Sequence, residues 1–216
     1  MGNAMDIYEY GSATSDIVLI QPVDDHDLNM IKNEYAEIKR TTGVDFRLIA
    51  VKIRDWNTEL SPWEAPAVFG KENFGSGAQK TLSEILPLCA DKAKTYYIGG
   101  YSLAGLFALW SAYQTDIFEG VAAASPSVWF PGFIDFMKIN EINSKKIYLS
   151  LGDKEAKARN PLMATVADKI KEAQALLNKK NDCILEWNEG NHFKDADLRT
   201  AKAFAWLMGN KKGNNN

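Results

Sequence analysis

The sequence predicts an α/β protein of three layers, built on a doubly wound, mostly parallel sheet of about six strands. Short, often β-branched apolar runs alternate with amphipathic stretches from Asp16 to Leu207. That is the pattern of buried parallel strands joined by right-handed helical crossovers. The chain has 216 residues, 46% of them hydrophobic and 25% charged, enough to bury one sizeable core without disulfides or a structural metal.

Strands are expected at Ile17–Ile20, Phe46–Ile53, Tyr96–Ile98, Val121–Ala124, Ile147–Leu151 and Cys183–Trp187. Helical periodicity appears between them at Asp27–Lys39, where Leu28, Ile31, Tyr35 and Ile38 share a face, and at Ala78–Cys89, Leu103–Tyr113, Leu162–Asn178 and Asp195–Leu207. Residues 16–208 then form the domain, with 1–15 as a polar N-terminal extension and 209–216 as a disordered tail with nothing to bury. Two stretches break the alternation: 55–74, which holds Trp56 and Trp63 without clean periodicity, and the aromatic SPSVWFPG at 125–132. Long ordered loops of this kind often line binding sites.

Composition narrows the function. A formal net charge of −3 with scattered Lys and Arg lacks the basic stripe that displaces counterions from phosphates, so nucleic acid is not an expected partner. No apolar run approaches the roughly 20 residues that cross a bilayer, so no membrane partner is expected and the expected location is the cytoplasm. Cys89 and Cys183 sit in apolar surroundings and read as buried, reduced structural residues. Together with His26 and His192, far apart in the chain, they do not make a zinc site. No metal or other cofactor is expected, and a homo-oligomer is left open.

Chemistry concentrates in YYIGGYSLAGLFALW, residues 96–110. A strand ends, Gly100-Tyr101-Ser102-Leu103-Ala104-Gly105 follows, and an apolar helix begins at once. A serine wedged between strand and helix by small residues has the layout of a nucleophile elbow, in which the turn strains the serine backbone and lifts its hydroxyl into a cleft. There the helix N-terminus favours a developing anion, and the Leu103 N–H points at an oxyanion. Ala104 replaces the second glycine of the usual G-x-S-x-G, the mildest possible departure.

A serine needs a base, and His192, after the last strand in EGNHF, stands where a doubly wound hydrolase delivers one. His26, in the run DDHD, reads as a helix-start residue at the mouth of the site. The acid that orients the base follows the fifth strand in LGDKE. Glu155 is preferred because the glycine three residues earlier leaves room for its side chain to turn back, and Asp153 is the alternative. For the second oxyanion donor the loop after the first strand offers the Val23 N–H, with Asp24 as second choice. The HGGG-type sequence of many lipases is absent.

With these residues in place the chain resembles an α/β-hydrolase of the esterase group that includes siderophore esterases and mycolyltransferases, over about Asp16 to Leu207. GGYSLAGLFALW, VAAASPSVWF, LGDKE and GNHF occur in family order. The resemblance implies a shortened α/β-hydrolase fold, with Ser102 as nucleophile, Glu155 as acid, His192 as base and the Ser125–Phe130 loop near substrate. If the strand order is 2-1-3-4-5-6, the loop after strand one and the elbow after strand three flank the switch point where open α/β sheets bind ligands.

The expected activity is a serine hydrolase cleaving a carboxylic ester of a small molecule through an acyl-enzyme, with Trp129, Trp56, Trp63 and His26 as candidate substrate contacts. An acyltransferase or thioesterase would use the same triad. A binding module on an inactive hydrolase scaffold is the non-enzymatic alternative.

Overall fold

The computed structural model describes residues 5–68 and 70–209. Asn210–Asn216, most of the expected tail, lie outside the described residues. Seven strands form one sheet in the order β1-β3-β2-β4-β5-β6-β7: β1 (Ile7–Gly11), β2 (Ile17–Val23), β3 (Arg47–Lys52), β4 (Thr95–Tyr101), β5 (Phe118–Ala124), β6 (Lys146–Gly152) and β7 (Asp182–Asn188). Apart from β1 the strands are parallel and follow the expected 2-1-3-4-5-6 order.

The sheet therefore has one strand more than the sequence predicts, because β1 lies within residues 1–15. It pairs antiparallel with β3, Ile7 opposite Val51 through Gly11 opposite Arg47. Four of its five residues are exposed and Tyr10 packs inward against Tyr35, so it has no apolar run to betray it. Main-chain pairing holds it, with Arg47–Glu9 and Arg54–Asp6 contacts at 2.6 and 3.1 Å.

Helices cover both faces. On one lie α1 (Asp25–Thr42) and α7 (Ala196–Leu207); on the other lie α3 (Ala78–Ile85), α4 (Leu103–Gln114), α5 (Phe133–Ile139) and α6 (Val166–Leu177). A short α2 spans Trp56–Glu59. Strand alternation sorts the core: Val18 and Ile20 of β2 join the α3–α6 side, while Leu19 joins Ile31, Ile38 and Phe204 on the other. The sequence pattern misses α5, a seven-residue helix after Pro131 and Gly132 that is too short to display a period. α4 is buried from Leu103 through Ala112 and is apolar all round, as a central helix should be. Among the described residues no helix is long and apolar enough to cross a membrane. Cys89 and Cys183 are buried and unpaired, and burial pushes both thiols up to about 12.

The sheet opens where the site will form. Pairing of β2 with β4 ends at Ile20 opposite Ile98, whereas β2 stays paired with β3 through Val23. Val23 O accepts from the Ile53 N–H at 2.9 Å. Successive residues of a strand face opposite edges, so Pro22 faces the β4 side beyond the last pair, where its missing N–H leaves no gap in the ladder. The Asp24 side chain then caps α1, accepting from the Asp27 N–H at 2.8 Å.

Along α1, Glu34 is buried against β2, and Gln21 Nε2 donates to its Oε2 at 3.1 Å. Among the described residues Gln21 Oε1 and Glu34 Oε1 have no hydrogen-bond partner, so the pair is short of a donor that a proton on Glu34 would supply. Burial pushes the carboxyl well above its ordinary value; the Gln21 hydrogen bond opposes the shift, and the charges of Asp27 and Asp197 add to it. The folded state thus keeps a proton that the unfolded chain releases near 4.5, the ordinary value for glutamate. Stability from this group is full below that value and is lost as pH rises through the folded one. Glu34→Gln is expected to flatten the decline of the urea midpoint as pH rises above the ordinary glutamate value; an undiminished decline in the variant would contradict this assignment.

Candidate active site

Ser102 joins β4 to α4 with φ 57° and ψ −118°, a conformation that costs a residue with a Cβ on the order of 1–3 kcal/mol. Its surroundings hold it there. The Ser102 N–H donates to Ala124 O at 3.0 Å, and Ser102 O accepts from the Leu106 and Ser127 N–H groups at 3.1 and 3.0 Å. Strand and helix touch through small residues. A Cβ on Gly100 would lie 2.6 Å from that of Ala104, and one on Gly105 would lie 3.0 Å from Gly100 O. Ala104 is accommodated because Gly100, two residues before the serine, carries no side chain.

The three sequence-predicted catalytic residues meet. Ser102 Oγ lies 2.9 Å from His192 Nε2, and His192 Nδ1 lies 2.7 Å from Glu155 Oε2. The other carboxylate oxygen, Oε1, accepts from the Gly152 N–H at 2.7 Å, from Ser125 Oγ at 2.8 Å and from Arg199 Nη1 at 3.1 Å. Burial pushes the Glu155 carboxyl up, but hydrogen bonds from His192, Gly152 and Ser125, with the His192 charge, bring it below the usual carboxylate value. The acid is therefore ionised.

Arg199 is itself buried, at 3% exposure. Its Nη1 also donates to the Tyr101 hydroxyl at 3.0 Å, and its Nη2 reaches the carbonyls of Glu189 and Asn191 at 3.0 and 3.2 Å. Tyr101 in turn donates to His192 O at 2.8 Å. Burial pushes the Tyr101 phenol up to about 12, so it remains a neutral donor. The loop that delivers the histidine is thus tied at three carbonyls, two to Arg199 and one to Tyr101.

Asp153, the alternative acid, is occupied elsewhere: its Oδ1 accepts from the Gly190 N–H at 2.7 Å and its N–H donates to Asn188 O at 2.8 Å. It links the acid turn to the histidine loop. Leu103 is the first residue of α4, and Val23 ends β2. His26 lies exposed in the first turn of α1. Trp63 packs among Phe130, Phe133 and Phe136, and its indole N–H donates to Pro131 O at 2.8 Å. Trp129 is buried beside Phe74, and Trp56 is half-buried at the start of α2.

The sequence reading did not single out Arg199; it named Tyr101 only within the elbow motif and Ser125 only within a loop near substrate, with no role beside the acid for either. For Arg199 a signal exists, because it shares one stripe of α7 with buried Ala203 and Leu207 at four-residue spacing. An arginine on an apolar stripe needs a buried partner. Ser125, at φ 42°, has no comparable signal. Phe193, beside His192 with ring centroids 5.6 Å apart, is 89% exposed.

Neither a protein-family model nor a curated protein matches the chain. Solved structures do. The siderophore hydrolase EstA from Aspergillus nidulans is 16% identical over 94% of both chains, with a TM-score of 0.64. An IroE-like serine hydrolase from Shewanella oneidensis is 11% identical, covering 94% of this chain and 75% of its own, with a TM-score of 0.73. The enterobactin esterase Fes from Shigella flexneri is 13% identical over 94% of this chain and 55% of its own, at 0.65. The class that these likenesses define is a compact α/β-hydrolase-like fold. At such identities it is the fold that is shared.

The packing of the elbow has a direct test. Gly100→Ala is expected to lower the unfolding free energy by about 1–3 kcal/mol through overpacking. Adding Ala104→Gly removes the contact with the Ala104 Cβ and should restore part of the loss in urea melts when Ala104→Gly alone is the reference. An equal effect of Gly100→Ala in the native and Ala104→Gly backgrounds would show that the two positions do not press on each other.

Proposed function

We propose that the protein is a serine hydrolase that cleaves a carboxylic ester through an acyl-enzyme on Ser102. What supports the reading is a continuous line of hydrogen bonds, Ser102 Oγ to His192 Nε2 at 2.9 Å and His192 Nδ1 to Glu155 at 2.7 Å, on a strained turn at a helix N-terminus. In this mechanism His192 Nε2 takes the hydroxyl proton as Oγ attacks the ester carbonyl carbon. The tetrahedral intermediate collapses, and the alcohol leaves with that proton. Water then attacks the acyl group by the same route, releasing the acid and restoring Ser102. Glu155 keeps its charge throughout, holding the imidazole in one tautomer and balancing the imidazolium.

The oxyanion takes one hydrogen bond from the Leu103 N–H. For the second, the Asp24 N–H suits better than that of Val23. The Val23 carbonyl serves Ile53 on the β3 side, and in an extended strand the N–H of the same residue shares that edge. Asp24, one residue on, faces the β4 side, where the nucleophile stands. Phe193 is the exposed apolar ring beside the base and is assigned to the ester's acyl or alcohol part. The substrate on this reading is a small-molecule acyl ester.

The test is intact-mass analysis after exposure to a fluorophosphonate. One adduct is expected on the native chain, absent in Ser102→Ala and formed about a hundredfold or more slowly in His192→Ala. Glu155→Gln should slow labelling well beyond Asp153→Asn. A folded native chain that takes no adduct would refute the proposal, and an adduct surviving Ser102→Ala would refute the choice of nucleophile.

A further inference from the structure

A guanidinium at bonding distance from the acid of a Ser-His-Glu line is not needed for the hydrogen bond to the imidazole, which Glu155 Oε2 makes with Nδ1. Its presence changes the charge that the imidazole faces. Glu155 and Arg199 are each less than a tenth exposed and 3.1 Å apart, so they form a buried pair of no net charge. His192 Nδ1 sits on the outer oxygen of that pair. Without the guanidinium, the imidazole would face a lone buried carboxylate, which binds an imidazolium more strongly and so makes His192 hold a proton to higher pH.

We propose that Arg199 is a positioning residue that neutralises Glu155, and that it thereby extends the action of His192 as a base to lower pH while bracing the loop that delivers it. The inference rests on the triad reading above. The other groups around the pair do not supply this charge. From β4, Tyr101 is a neutral phenol. From the end of β5, Ser125 is uncharged. In the turn after β6, Asp153 is engaged with the Gly190 N–H, and Lys154 is exposed. In the loop before α7, Glu189 pairs with Lys194 at 3.3 Å and Asp195 is exposed, and Lys202 of α7 pairs with Glu186 of β7. Arg199 is the buried cation on the acid.

The experiment is the rate of fluorophosphonate labelling as a function of pH, which reports the ionisation of the base in the free enzyme. It is run on the native chain, Arg199→Gln and Arg199→Lys, with Ser102→Ala as the blank. In Arg199→Gln the acid limb is expected to move up by about one pH unit, a tenfold slower reaction at a fixed pH on that limb, and the plateau also falls. Arg199→Lys keeps the charge but has no fork to span acid and carbonyls; its limb is expected to stay while its plateau falls. A lowered plateau with an unmoved limb in Arg199→Gln would mean a brace only and would overturn the proposal.

If Arg199→Gln does not fold, Arg199→Met, which fills the same buried space without a charge, takes its place with the same readings: an upward-moved limb supports charge neutralisation and an unmoved one contradicts it. Absence of Ser102-dependent labelling in the native chain would instead be a failure of the triad reading, so the two failures are distinguishable. The chain has two histidines, so NMR titration of the imidazoles in His26→Ala gives the same comparison from a single remaining residue.

Discussion

A carboxylate removed from water costs several kcal/mol unless every lone pair is answered, and the arrangement of the site follows from how Glu155 meets that demand. Its Oε1 gathers a main-chain N–H from the end of β6, a hydroxyl from the end of β5 and a guanidinium from α7. Its Oε2 is left for His192 alone. Three separate elements must be in register before the acid is satisfied. The geometry of the histidine is thereby coupled to the packing of α7 on the sheet. The same α7 places Phe204 against β4 and β5, where a Cβ on Gly99 would lie 2.6 Å from its ring.

Parallel strands end together, so β2, β4, β5, β6 and β7 all release their connections on one edge of the sheet. The connections after four of them bring together Ser102 after β4, Ser125 and Ser127 after β5, Glu155 after β6 and His192 after β7. The gap that makes this a site rather than a closed rim opens between β2 and β4. Their ladder stops at Ile20 and Ile98, and Pro22 follows where no partner is needed. The elbow stores local backbone strain at Ser102, and α4, buried on every side, supplies the rigid support that maintains it.

The interior of the sheet was legible because it obeys simple periodicities. All six parallel strands follow from the apolar runs, their order only as a supposition that the sheet matches, and Ser102, Glu155 and His192 were chosen from where small residues and turns interrupt the runs. β1 escaped because a mostly exposed edge strand is held by main-chain pairing and surface charges, which leave no hydrophobic pattern. α5 escaped because seven residues do not complete two full turns. The aromatic loops were read as candidate walls of a pocket, yet Trp63 and Trp129 are largely absorbed into packing. A tryptophan's composition signal is the same in both settings. Arg199 shows the limit most clearly: its place on an apolar stripe signals a buried partner, but which partner depends on a contact across 44 residues of chain.

The central claim is that Ser102 is an activated nucleophile that carries the acyl group between two half-reactions. The most direct measurement is to mix the protein briefly with p-nitrophenyl acetate, quench in acid and map the acetyl group by peptide mass. A single acetyl group on the peptide containing Ser102, removed on longer incubation before the quench, is the predicted result. Acetylation spread over surface lysines at the same rate in the Ser102→Ala variant would contradict the account.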